Sequence, residues 1–213
     1  GYMGAVIFEW MDEWAKKTWT TEPFMIPYEK HVYWHNIVDP EQNYGILAME
    51  SQEPKKAAYK QKNKGYIKKL EMKVNESYLY IDIYSQDDID FSTQRWWIGL
   101  DSFARQRGDK QFPGREKLPV PSGMEFMIKL EGKEAGRLMV IPSYNPANFR
   151  FSSQANSKGY YEEIRPAINK TRITKDGKVV PEIRAQGSSL RYGDFKTGNS
   201  HWFYEGSKLS LRI

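Results

Sequence analysis

The segment Gly4-Ala5-Val6-Ile7-Phe8-Glu9-Trp10-Met11-Asp12-Glu13-Trp14 constrains this chain more than any other. Ala5 to Phe8 run without a polar break, so the segment has no wet face. A short continuous apolar run of this kind reads as a strand covered on both sides, as in a parallel sheet walled by helices. It stops abruptly at Glu9-Trp10, and Asp12, Glu13 and Trp14 follow. Carboxylates and indoles therefore stand just past the carboxyl end of a buried strand, the end at which barrels of alternating strands and helices build their active sites.

The pattern then changes. Met11 to Lys17 suits a short helical turn, and Trp19 to Lys30 reads as a loop because Pro23 and Pro27 block regular structure. Pro54 suits the first turn of a helix running through Lys62. Lys60 to Lys64 is polar and ends at Gly65, where the reading places a domain boundary: residues 1–64 form one unit and residues 65–213 another. After Gly65 the apolar period becomes two. Leu70, Met72 and Val74 alternate with Lys69, Glu71 and Lys73, Asn75-Glu76 makes a turn, and Tyr78 to Tyr84 returns, which predicts a β-hairpin. Further strands are expected at 96–103, 125–130, 137–141, 168–174, 178–184, 201–204 and 208–213. Asp176-Gly177 is a hairpin-turn signal, because such turns want positive φ. Many short strands between turn signals predict a mainly β unit, an antiparallel β-sandwich or jelly roll.

The opening segment, together with His35-Asn36-Ile37-Val38-Asp39, Tyr44-Gly45-Ile46-Leu47 and Glu53-Pro54-Lys55-Lys56-Ala57-Ala58-Tyr59 in that order, resembles the last strand-and-helix unit of the TIM barrel of family 2-type glycoside hydrolases and their clan relatives. A complete barrel takes eight strands and roughly 250 residues. The resemblance therefore implies that residues 1–64 are the end of a larger bacterial carbohydrate enzyme, an incomplete α/β remnant completed by an upstream barrel domain. A second series resembles the family 9-like carbohydrate-binding modules: Tyr78-Leu79-Tyr80-Ile81-Asp82-Ile83, Trp97-Ile98-Gly99-Leu100-Asp101, Gly123-Met124-Glu125-Phe126-Met127-Ile128 and Lys208-Leu209-Ser210-Leu211-Arg212-Ile213. In that family a Pro-Trp pair follows the last phrase. Its lack here suggests a shortened edge strand at the carboxyl end.

Glycoside hydrolysis needs two carboxyl groups flanking the scissile bond, and Glu9, Asp12 and Glu13 are the candidates by residue type. The barrel resemblance implies a different role. The acid and nucleophile come from other strands, Trp10 stacks under a sugar, and Glu9 accepts hydrogen bonds at the site edge. Trp14 joins Trp10 as a substrate contact. The structural alternative is that Glu9 and Asp12 pair with Lys16 or Lys17 and the indoles simply pack. In the second unit Trp96, Trp97 and Trp202 are the candidate sugar platforms, with ordinary core packing as the alternative. Trp96 and Trp97 are adjacent in a strand and point to opposite faces.

Asp87, Asp88 and Asp90 are oxygen donors of the kind calcium takes, although no EF-hand spacing is present; solvated loop acids are the alternative. Structural calcium is the one cofactor they suit. His31, His35 and His201 make no metal set. There is no cysteine, which excludes disulfides and thiolate metal sites.

The net charge of +5 is mild, and the lysines are interspersed with acids, which argues against a nucleic-acid groove. The basic loop cluster Arg105, Arg107, Lys110, Arg115 and Lys117 reads as a solvated loop or a contact for an acidic glycan. No apolar run approaches the ~20 residues of a membrane span. Three functions stay open: the glycan-binding end of a carbohydrate-active enzyme, with an extracellular or cell-envelope parent; a purely structural sandwich; and an accessory domain of a bacterial glycosyltransferase.

Overall fold

The computed structural model describes residues 7, 9–13, 16–25, 41, 44–47, 52–75, 77–115, 118, 120–145, 158–196 and 200–213. Its strands in chain order are β1 (Tyr59–Lys62), β2 (Ile67–Val74), β3 (Leu79–Ser85), β4 (Trp96–Leu100), β5 (Phe126–Leu130), β6 (Gly136–Val140), β7 (Glu162–Glu163), β8 (Arg172–Ile173), β9 (Val179–Val180), β10 (Trp202–Glu205) and β11 (Lys208–Arg212). Among the described residues helix is limited to two 3₁₀ turns, Glu22–Phe24 and Pro142–Tyr144, and to Glu41, which is also 3₁₀. No helix of the described residues is long and apolar enough to cross a membrane.

The chain forms two compact units that interleave in sequence. One comprises Gly1–Met49, Pro142–Ser153 and Ile164–Gly187; the other comprises Glu50–Ile141, Gln154–Glu163 and Ser188–Ile213. The second unit holds a five-stranded sheet in the order β1-β2-β3-β11-β10 and a four-stranded sheet in the order β4-β5-β6-β7. Every strand pairing in them is antiparallel. The period-two pattern explains why they stack. Leu70, Ile83 and Leu209 lie in one cross-strand row, and Met72, Ile81 and Leu211 in the next. This face meets Ile128 and Leu130 of β5 in one hydrophobic core, with Trp202, Ile89 and Leu190. The unit is therefore mainly β and sandwich-like, as its alternation predicts.

Trp202 anchors the core. Its side chain is completely buried, its Nε1–H donates to the Leu190 carbonyl at 3.1 Å, and its ring lies edge-on to Phe91 at 5.3 Å and to Tyr192 at 5.0 Å. Gly136 makes this possible, since a methyl there would stand 2.6 Å from Nε1 and 2.7 Å from the Leu190 oxygen. Of the two readings of Trp202, core packing and sugar platform, its burial fits the first: a ring enclosed on all sides has no face to offer.

The opposite face of the five-stranded sheet carries charge. Glu71 receives Lys60 Nζ at 2.9 Å and Lys69 Nζ at 3.0 Å, and the Asp82 carboxylate takes the Ser210 hydroxyl at 2.6 Å and Lys208 Nζ at 3.1 Å. The hydrogen bonds from Lys60 and then Lys69 lower the Glu71 pKa to about 2.

Several expectations are corrected. Residues 54–62 form no helix; Tyr59–Lys62 is strand β1, paired with β2 through Tyr59↔Met72 and Lys62↔Lys69, so the five-stranded sheet starts before Gly65. β1 is exposed along its whole length, and its backbone pairing along the amphipathic strand β2 outweighed the helix-start signal of Pro54. Leu211 and its neighbours in β11 are flanked by β3 and β10, so the last strand is interior and not an edge. Asn75 Oδ1 accepts from Ser77 N at 3.0 Å and Tyr78 N at 2.8 Å, which suits the turn expected at Asn75-Glu76, of which Glu76 lies outside the described residues.

In the other unit, β8 and β9 form a two-stranded hairpin closed at Gly177, whose φ is 80°. Residues 9–11 run parallel to 44–47: Ile46 N donates to Glu9 O at 3.0 Å and Leu47 N to Trp10 O at 3.2 Å. Residues 4–6, 8, 14 and 26–40 lie outside the described residues, and with them most of the opening apolar run, Trp14, His31 and His35.

The lowered Glu71 pKa has a definite sign. Its ion pairs contribute stability that is present above the ordinary value of 4.5 and lost as pH falls towards 2. Glu71→Gln is expected to lower unfolding free energy at pH 7 by about 1 kcal/mol or less. The gap from wild type should close on acidification over that range, as read by denaturant titration at each pH.

Candidate functional site

The site is assembled where β2 and β4 begin. The loop from Gln86 to Arg95 turns on Asp90. Its Oδ1 accepts from Ser92 N at 2.8 Å and its Oδ2 from Ser92 Oγ at 2.7 Å, while Gln94 N donates to Asp90 O at 2.8 Å. The two bonds from Ser92, its hydroxyl first, lower the Asp90 pKa. On the other side, pairing of β2 with β3 shifts register between Ile67 and Lys69, a bulge-type irregularity that bends the strand and re-aims its side chains.

Between these two features lies an open cleft of about 490 Å³, lined by Tyr66, Ile67, Gln94, Arg95, Trp96 and Trp97. Gln94 is its hub. Its Nε2 donates to the Tyr66 hydroxyl at 3.0 Å, and its Oε1 accepts from Trp96 Nε1 at 3.3 Å. One amide therefore orients both an exposed phenol and an indole. Arg95 is fixed differently: its Nη1 donates to the carbonyls of Phe91 and Gln94, both at 2.7 Å.

Trp96 and Trp97 alternate as a strand requires. Trp96 packs against the sandwich core, whereas Trp97 lies opposite Lys129 on the other face of β4. Both still reach the cleft, because it opens at the beginning of an edge strand. The Trp97 Nε1–H is screened from solvent and has no acceptor among the described residues. Two indoles, a phenol, an amide and a guanidinium facing one opening can hold a ligand with an apolar ring face and polar edges.

The remaining candidates are dispersed. Trp10 is exposed in the first unit. Asp12 Oδ1 accepts from Gly45 N at 3.0 Å; among the described residues Lys16 pairs with Glu13 and Glu41, not with Glu9 or Asp12 as in the alternative reading. Burial first, then the neighbouring Glu13 carboxylate, raises the Glu9 pKa. Asp87, Asp88 and Asp90 are exposed, and both Asp90 oxygens face Ser92. Among the described residues no group of three or more histidines and carboxylates is arranged to hold a metal. In the basic loop, Arg107 lies 5.6 Å from the Phe103 ring, and Lys117 lies outside the described residues.

Sequence reasoning missed the polar members of the cleft, Gln94 and Arg95, and the exposed Tyr66. It also missed Asp109 and Glu125, both completely buried. Asp109 Oδ1 accepts from Gln111 N at 2.9 Å and Oδ2 from Gly159 N at 2.8 Å, which ties the basic loop to a segment fifty residues on. Glu125 Oε2 accepts from Ser102 N at 2.7 Å. Burial, followed by these two carboxylates, pushes the Tyr161 phenol well above its usual value. The run Tyr66-Ile67 with Gln94-Arg95-Trp96-Trp97 was the available signal, but only pairing of distant strands brings its halves together.

Compared with protein-family models, with curated proteins and with solved structures, the chain shows no match.

The two buried indole nitrogens set up a contrast. Trp97→Phe removes a donor that has no acceptor, so stability should change by less than about 1 kcal/mol. Trp202→Phe leaves the Leu190 carbonyl unpaired and a void in the core, at a cost of about 2–4 kcal/mol. Urea unfolding of both variants checks the difference.

Proposed function

We propose that the sandwich-like unit binds an oligo- or polysaccharide in the Trp96–Trp97 cleft, in the manner of a carbohydrate-binding module, and serves as the glycan-holding end of a carbohydrate-active enzyme. One observation carries this reading: aromatic rings and hydrogen-bonding side chains line a single open cleft. The apolar CH face of a pyranose suits an indole, and its hydroxyls suit an amide and a phenol. The opening is of the size that ligand sites occupy. We assign no catalytic step to Glu9, Asp12 or Glu13.

A specific observation favours the second reading, a purely structural sandwich. Trp96 packs against the core, so its presence at the cleft also serves folding. Titration calorimetry of the full chain against a panel of soluble neutral and acidic polysaccharides separates the two. The module reading expects saturable binding, weakened about tenfold or more, equivalent to about 1.4 kcal/mol, in Trp97→Ala and in Tyr66→Ala. No heat above dilution with any polysaccharide would leave the scaffold reading.

A further inference from the structure

We propose that the cleft selects an acidic sugar, with a uronic-acid carboxylate held by Arg95. The proposal rests on the glycan-binding reading and deepens it. Among the described residues Arg95 is the one charged side chain lining the cleft. Its Nη1 is spent on two backbone carbonyls, Phe91 O and Gln94 O. Two acceptors on one nitrogen fix the plane of the guanidinium. The opposite edge, Nε and Nη2, makes no hydrogen bond or ion pair among the described residues. That edge is the planar fork that matches the two oxygens of a carboxylate.

The nearby acids do not fill this role. Asp90 turns one oxygen to Ser92 N and the other to Ser92 Oγ. The Asp88 carboxylate lies beside Gly206, 3.4 Å from where a Cβ there would stand. Elsewhere in the same unit lysines of the sheet find carboxylates: Lys60 and Lys69 share Glu71, and Lys208 takes Asp82. An anchored arginine without such a partner, set beside two indoles and a tyrosine, describes a ligand with a flat apolar face and one carboxylate at its rim.

Matched polymers supply the test: polygalacturonate, its methyl ester, in which the carboxylate is neutralised on the same backbone, and a sulfated galactan. Calorimetry at low salt with the full chain should give an affinity for polygalacturonate about tenfold or more above that for the ester. Arg95→Gln should bring the two affinities together, and Arg95→Lys, which keeps the charge and loses the fork, should fall between. Thermal melts report whether each variant is folded. Should Arg95→Gln unfold, the lysine variant and the acid-to-ester ratio of the wild type still decide.

Equal affinity for acid and ester, a ratio unmoved by either substitution, or tighter binding of the sulfated polymer overturns the carboxylate assignment and leaves the glycan cleft standing. Absence of binding to all three polymers and to the neutral panel overturns the glycan reading itself.

Discussion

The apolar contact between the two sheets of the larger unit is the interaction on which the rest depends. There is no disulfide, and the described residues hold almost no helix to wall either sheet, so each amphipathic sheet buries its apolar face against the other. Trp202 sits at the centre of this contact because its indole satisfies two demands at once. Its surface fills the space between β10 and the opposing sheet, and its one polar atom finds the Leu190 carbonyl. The missing side chain at Gly136 is part of the same arrangement. A strand order that sets β11 between β3 and β10 means the sheet is continuous only when the end of the chain is in place. Contacts between residues so far apart in sequence carry a large loop-closure cost before they are rewarded.

The cleft inherits its rigidity from that core. Trp96 is held by core packing on one side and by Gln94 on the other. Gln94 is in turn held by the turn around Asp90, and Tyr66 by Gln94 and by the hydrogen bond from Gln86 N to its carbonyl at 2.8 Å. Arg95 follows in the same turn with its Nη1 bonded to the backbone. A side chain whose geometry is already set loses less entropy when a ligand arrives, which is how a shallow opening can still be selective.

The long segment between β4 and β5 shows how buried charge organises a loop. Its arginines and lysines dominate its composition, yet its geometry turns on Asp109. Asp109 pairs backbone to backbone with Met124, 2.9 Å and 2.8 Å, while its carboxylate collects amides from Gln111, Lys158 and Gly159. A buried carboxylate satisfied by several N–H groups needs no cationic partner. The positive residues around it are left at the surface, and so mark no site by themselves.

Alternation in Lys69–Val74, Tyr78–Tyr84 and Lys208–Ile213, with turn residues at Asn75, Gly177 and Gly206, determined from sequence alone that most of this chain pairs as antiparallel strands with one dry face. It also determined that Trp96 and Trp97 face opposite ways, because side-chain direction along a strand is a local property of the backbone. Only the tertiary structure decided that Trp202 is enclosed, that Tyr59–Lys62 is a strand, and that Tyr66 meets Gln94, Arg95 and the two indoles at one cleft. These depend on which strands become neighbours and on where β2 slips its register, and no window of adjacent residues carries that information. The same limit applies to Asp109, whose partners lie near residue 159: a lone acid among bases looks solvated until the fold brings amide donors around it.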